Sequence, residues 1–207
     1  MIELFLSAFA TLFVVIDPPG CAPIYAGLTK GATLAQQRSM AIRAVVIASA
    51  ILLVFALVGE ALLKTLGISL NAFRIAGGIM LFIIALEMVF EKRQERREDR
   101  ANKIMETPEV EDVSVFPMGM PMIAGPGSIA TVMLLGSRGD GAGETAVVFA
   151  ALGLVLVLTL IALRAAGPLM RLLGAKIESV ITRLLGVLLS ALAIQFVIDG
   201  IKRSFGL

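Results

Sequence analysis

Six apolar blocks, at about 2–28, 41–63, 68–90, 113–136, 144–166 and 180–201, fill this 207-residue chain almost from end to end. A hydrocarbon layer about 30 Å thick is crossed by a helix of about 20 apolar residues, because each residue adds about 1.5 Å. Every block meets that length. Hydrophobic residues make up 58% of the chain and charged ones 16%, against about 45–50% and 25% in soluble domains, so a water-soluble globule of this size has no means of hiding its apolar surface. The expectation is an all-α integral membrane protein with six transmembrane helices, forming a single transmembrane domain over 1–207 in the lipid bilayer. The start Met1-Ile2-Glu3 lacks a positive leader region and reads as a retained first helix.

The one long connection, 91–112, opens with the mixed-sign run Glu91-Lys92-Arg93-Gln94-Glu95-Arg96-Arg97-Glu98-Asp99-Arg100. Such a run reads as a solvated helical extension held by i, i+4 ion pairs. It separates three spans (1–90) from three spans (113–207). If the connections after spans one, three and five share a side, that side carries thirteen Lys and Arg and the other five. Positive charge accumulates on the cytoplasmic face, which places 91–112 in the cytoplasm and both termini outside. An odd number of crossings per half also means that homologous halves would be inverted relative to each other. Two matches support such repeats: Pro18-Pro19-Gly20-Cys21 with Gly125-Pro126-Gly127-Ser128, and Arg74-Ile75-Ala76-Gly77 with Arg183-Leu184-Leu185-Gly186, at spacings of 107 and 109.

Proline removes a backbone donor and glycine tolerates most conformations, so Asp17-Pro18-Pro19-Gly20-Cys21-Ala22-Pro23 and Ala124-Gly125-Pro126-Gly127-Ser128 should break spans one and four. Broken backbone at membrane depth persists only where protein or a wet cavity satisfies it. Each restarting half-helix aims free N–H groups and a positive dipole end at its break. Inverted symmetry would bring the two ends together as a site for a small anionic group such as a carboxylate. The candidate binding residues are Asp17, Pro18, Gly20, Cys21, Gly125, Pro126, Gly127, Ser128 and Thr131. Asp17 reads equally as a helix cap and as a ligand for ions or solute, while Ser128 and Thr131 offer hydroxyls that also bond readily to their own helix. Glu60 and Glu87 read as interfacial, Asp199 as locally paired, Gln195 as a weak pore-lining candidate, and Gly77, Gly78 and Gly186 as helix-packing positions.

The composition argues against other chemistries. With no histidine and the single Cys21, little remains to build a nucleophile–base pair or a metal cluster, and an intrachain disulfide has no second cysteine. No enzyme activity, resident metal or cofactor is therefore expected, a coupling cation (Na+ or H+) being the one candidate. A net charge of +2 gives no polyanion-binding footprint, so no nucleic acid partner is expected. A homo-oligomer is compatible with the sequence.

The pairing of Asp17-Pro18-Pro19-Gly20-Cys21-Ala22-Pro23 with Met120-Pro121-Met122-Ile123-Ala124-Gly125-Pro126-Gly127-Ser128-Ile129-Ala130-Thr131 resembles the MarC family of six-span bacterial and archaeal inner-membrane proteins, related to the LysE transporter superfamily. The family pattern Asp-Pro-x-Gly-x-x-Pro falls on Asp17, Pro18, Gly20 and Pro23. Its Pro-x-x-Ala-Gly-Pro-Gly-x-Ile pattern falls on Pro121, Ala124, Gly125, Pro126, Gly127 and Ile129. The resemblance covers essentially the whole chain. It implies a secondary transporter of small polar metabolites, foremost neutral amino acids such as alanine, glycine, serine and threonine, in either direction. A passive channel and a non-transporting structural or regulatory membrane protein are the alternatives.

Overall fold

The computed structural model describes residues 1–105, 112–136 and 141–206, with the side chains of 94, 100–105 and 168–179 outside the description. Among the described residues every regular element is helical: α1 (Ile2–Ile16), α2 (Pro18–Leu28), α3 (Leu34–Thr65), α4 (Leu70–Val89), α5 (Lys92–Met105), a π-wound segment (Ser114–Ile123), α6 (Pro126–Gly136), α7 (Ala142–Arg164) and α8 (Ala166–Phe205). Five stretches are long and apolar enough to cross a bilayer. The π-wound segment and α6, bent by 53° at their junction, make a sixth if taken as one broken span. The chain is a multi-pass membrane protein.

Two elements outrun their apolar blocks. The third helix is 32 residues long, and α8 runs unbroken for 40 residues through the stretch that the sequence assigns to the connection before span six. Charge ends a lipid-compatible window without ending a helix, and Pro168 falls in the first turn of α8, where its missing N–H costs no intrahelical bond. A capping box starts α3: Thr33 Oγ1 accepts from Gln36 N at 3.3 Å while Gln36 Oε1 accepts from Thr33 N at 2.9 Å. Thr33→Ala should cost about 1 kcal/mol, read as a lower unfolding midpoint of the purified protein in detergent.

The fourth helix lies along α8 and forms the main seam. Added Cβ atoms at Gly78 and Gly186 would lie 2.8 Å from the Ala193 carbonyl oxygen and 2.9 Å from Met88 Cβ, so these glycines let the two backbones approach. Their assignment to helix packing holds. The first helix packs on α7, as does α2, while α3 packs on the π-wound segment and α6. The buried core runs through these contacts, with Leu12, Ile16, Leu52, Leu81, Ile123, Leu134 and Leu152 closed to solvent.

The charged run folds differently from its expected solvated state. Its first part is α5, as anticipated, and Lys92, Glu95, Glu98 and Asp99 face outward. Arg93 and Arg97, one turn apart, point into the protein, and Arg97 is 8% exposed. The rest of the 91–112 connection that carries no description is 106–111.

Candidate functional site

The break in span one follows from two successive prolines. In a continuous helix the N–H groups of residues 18 and 19 would bond the carbonyls of Val14 and Val15; Pro18 and Pro19 have none to give. Asp17 turns left-handed at φ 60°, a conformation that Asp tolerates better than most residues. From there its Oδ1 accepts the Gly20 N–H at 3.1 Å, capping α2. Gly20 is required here, because a Cβ would sit 2.3 Å from Asp17 Oδ2. The stranded Val15 carbonyl accepts a bond from Arg93 Nη2 at 2.6 Å, so a guanidinium from α5 replaces the missing amide. The Cys21 thiol donates to Ile16 O at 3.5 Å.

Asp17 is 1% exposed and its second oxygen receives Arg97 Nη1 at 2.9 Å. The capping role is thus filled, and the other oxygen, expected to serve an ion or solute, is taken by the protein's own Arg97. Arg97 could not be picked out as functional from its charged surroundings, though the i, i+4 spacing of Arg93 and Arg97 was visible.

The break in span four is built from extended residues. Phe116 and Met120 are extended and each precedes a cis proline, Pro117 and Pro121, in line with the steric bias that proline imposes on its predecessor. The chain turns at Ala124-Gly125 and α6 starts at Pro126, its first intrahelical bond running from Ile129 N to Gly125 O at 3.0 Å. The first-turn amides of Gly127 and Ser128 therefore lie at the open, positive end of α6. Gly127 packs directly against the other break: a Cβ there would be 3.5 Å from Val15 Cγ1 and 2.5 Å from Ile84 Cδ1.

Between the breaks lies a cavity of about 170 Å³, lined at α6 by Gly125, Pro126, Gly127 and Ser128 and on the opposite side by Glu87, Arg93, Arg96 and Arg97. Arg96 Nη1 meets Glu87 Oε1 at 2.6 Å. Glu87, read from the sequence as interfacial, has only 15% of its side chain exposed and belongs to this wall. Burial, followed by the repulsion of Arg97, pushes the Arg93 guanidinium down to about 10, which leaves it charged at neutral pH. Four of the nine sequence-selected residues thus line the cavity; Asp17 joins it through Arg97, and Pro18, Gly20 and Cys21 shape the α2 start behind it. Thr131, one turn beyond Ser128, is fully buried and its hydroxyl has no hydrogen-bond partner among the described residues, so it does not bond back to its helix. Gln195 is exposed and donates to Asp199 Oδ1 at 2.7 Å, away from this cavity.

The expectation that both half-helix ends hold a solute meets an asymmetry. The α2 end is occupied by the protein's own Asp17 carboxylate, whereas the corresponding position before α6 is Gly125, without a side chain. Only the α6 end opens on the cavity.

Comparison with known proteins fits this architecture. The profile of the MarC family integral membrane protein matches residues 2–205. A UPF0056 membrane protein of Methanocaldococcus jannaschii is 34% identical over 201 residues, covering 97% of both chains. UPF0056 membrane protein YvbG of Bacillus subtilis is 34% identical, covering 99% of this chain and 97% of its own. YhcE of Escherichia coli is 34% identical, covering 95% and 91%. No solved structure matches the chain. With its profile match running from the first helix to the last and three relatives aligned over nearly their full length, the chain belongs to the MarC family of integral membrane proteins.

Proposed function

We propose that this protein is a secondary transporter of small polar metabolites, with the solute's carboxylate held at the N-terminus of α6. One observation carries the reading: a cavity between two helix breaks, walled by the open end of a half-helix and by three guanidiniums. Helix ends and arginines are the groups that bind carboxylates best. A closed core does not need such groups, and placing them there is costly. The family resemblance ranks the neutral amino acids alanine, glycine, serine and threonine first among substrates; the cavity itself defines only the carboxylate end. Its volume of about 170 Å³ is close to the roughly 150 Å³ of an engineered cavity that admits benzene, so the solute is small.

The helix pairing supports alternating access by two inverted repeats. Such repeats would exchange span one with span four, α3 with α7, and α4 with α8. That exchange turns the α1–α7 contact into the contact of the π-wound segment with α3 and maps the α4–α8 seam on itself, and all of these contacts are made. Each half would then rock about a site at the two breaks.

The test is uptake and counterflow of labelled solutes in proteoliposomes. Wild-type protein should show saturable counterflow, and Gly127→Leu should abolish it by filling the cavity, at a cost of about 1–3 kcal/mol in stability from overpacking against Ile84. Non-saturating flux would indicate a channel, and no flux in wild type would leave a structural or regulatory role.

A further inference from the structure

We propose that the cavity selects a short, net-monoanionic carboxylate, held at α6 in the way that Asp17 is held at α2. This rests on the transport-site reading and, by charge, sets a carboxylate without an ammonium ahead of the amino acids that the family resemblance ranks first. Counted from their first residues, the half-helices open alike, Asp17-Pro18 and Gly125-Pro126, one residue out of step with the sequence match that pairs Pro18 with Gly125. At α2 one carboxylate oxygen takes the N–H of the third helical residue, Gly20, and the other takes Arg97. The third residue of α6 is Ser128, and no side chain stands at the cap position. None can be installed there from the chain, because a Cβ on Gly125 would lie 2.5 Å from the Pro121 carbonyl oxygen. A carboxylate capping α6 would have to come from outside the chain's own cap position.

Two further observations point to an occupant. Ser128 is 2% exposed and lines the cavity. Arg93 also lines the cavity. Its bonds go to the Val15 carbonyl and, at 3.1 Å, to Met88 Sδ, both neutral, and no carboxylate lies within ion-pair distance of it among the described residues. A guanidinium has five N–H donors, so Arg93 keeps donors to spare.

Charge then sets the class. Three guanidiniums share the two carboxylates Asp17 and Glu87, which leaves one positive charge in excess beside the positive end of α6. A monocarboxylate neutralises the site with one oxygen on Ser128 and the other on Arg93. A zwitterionic amino acid leaves the net charge as it was and must bring an ammonium in among three guanidiniums. A cavity of about 170 Å³ accommodates a short carboxylate such as lactate or propionate.

Binding without transport provides the test. Purified protein in detergent, at constant ionic strength, is heated with lactate, propionate, inorganic phosphate or alanine, since a ligand bound to the folded state raises its apparent stability. The expected result is a saturable rise in the unfolding midpoint with lactate and propionate, at concentrations about tenfold or more below those needed for alanine. Arg93→Gln should weaken carboxylate binding about ten- to a hundredfold, the value of a charge-assisted hydrogen bond. Arg93→Lys should recover part of it, and Ser128→Ala, which keeps the backbone N–H, should lose less. An equal response to alanine, a response to phosphate alone, or an undiminished carboxylate response in both Arg93→Gln and Ser128→Ala overturns the proposal. Carboxylates that bind through Arg93 but do not move in proteoliposomes would sink the transport reading and leave this one standing; transported amino acids without carboxylate binding would do the reverse.

Discussion

Arg97→Ala should destabilise the folded protein by about 3–5 kcal/mol, the usual cost of removing one partner from a buried ion pair. The cause is the carboxylate left behind. Asp17 is 1% exposed and also caps α2, so it cannot turn to solvent without releasing the Gly20 amide. Asp17→Asn keeps an oxygen for that cap and strands Arg97 instead; it too should destabilise. The double variant should be better than the sum of the two, with a coupling of about 0.5–3 kcal/mol. Trypsin reads the same contact from the other side: docking of α5 shields the bonds after Arg93 and Arg97, and Arg97→Ala should open the Arg93 site to cleavage. A loss within about 0.5 kcal/mol, together with unchanged cleavage, would mean that α5 does not dock.

That pair also marks the border of what the sequence reveals. The helix breaks were legible because proline and glycine act through covalent structure: Pro18 and Pro19 cannot donate, whatever surrounds them, and Pro126 cannot either. The packing glycines were legible for a related reason, since close helix approach needs a missing Cβ. The partners of the break were not. A run such as Glu91–Arg100 has a charge pattern that satisfies itself on a solvated helix, and only tertiary structure tells Arg93 and Arg97 from Lys92 and Arg96 beside them. The stranded carbonyl of Val15 implies some donor, yet nothing local says that the donor lies 78 residues away. The same holds for the occupied end of α2. Asp before Pro-Pro reads as a cap and as a ligand site alike, and it takes the position of Arg97 to show that the carboxylate is already engaged. The extent of α8 was missed because hydropathy measures compatibility with lipid, while helix length depends on backbone propensity and packing.

Gly78→Leu should be the most damaging single change in the α4–α8 seam. A Cβ at Gly78 falls 2.8 Å from the Ala193 carbonyl oxygen and 3.1 Å from Val197 N, both backbone atoms of α8. Backbone in the middle of a 40-residue helix cannot swing aside as a side-chain tip can. The seam must part, and Gly200 and Gly186, whose added Cβ atoms would meet Asn71 and Ala85 carbonyl oxygens at 3.0 Å, show that close approach extends along its length. Overpacking of this kind costs about 1–3 kcal/mol, more where nothing can relax, and a four-carbon branch against backbone belongs at the upper end. Gly153→Leu is the matched control, since a Cβ there meets nothing within 4 Å. The same residue at the same kind of position in α7 should be neutral or stabilising by up to about 1 kcal/mol, because Gly is a poor helix former. Unfolding midpoints of both variants in one detergent separate the seam from any general intolerance of bulk. Equal losses in the two would show that α4 and α8 are not held at glycine distance.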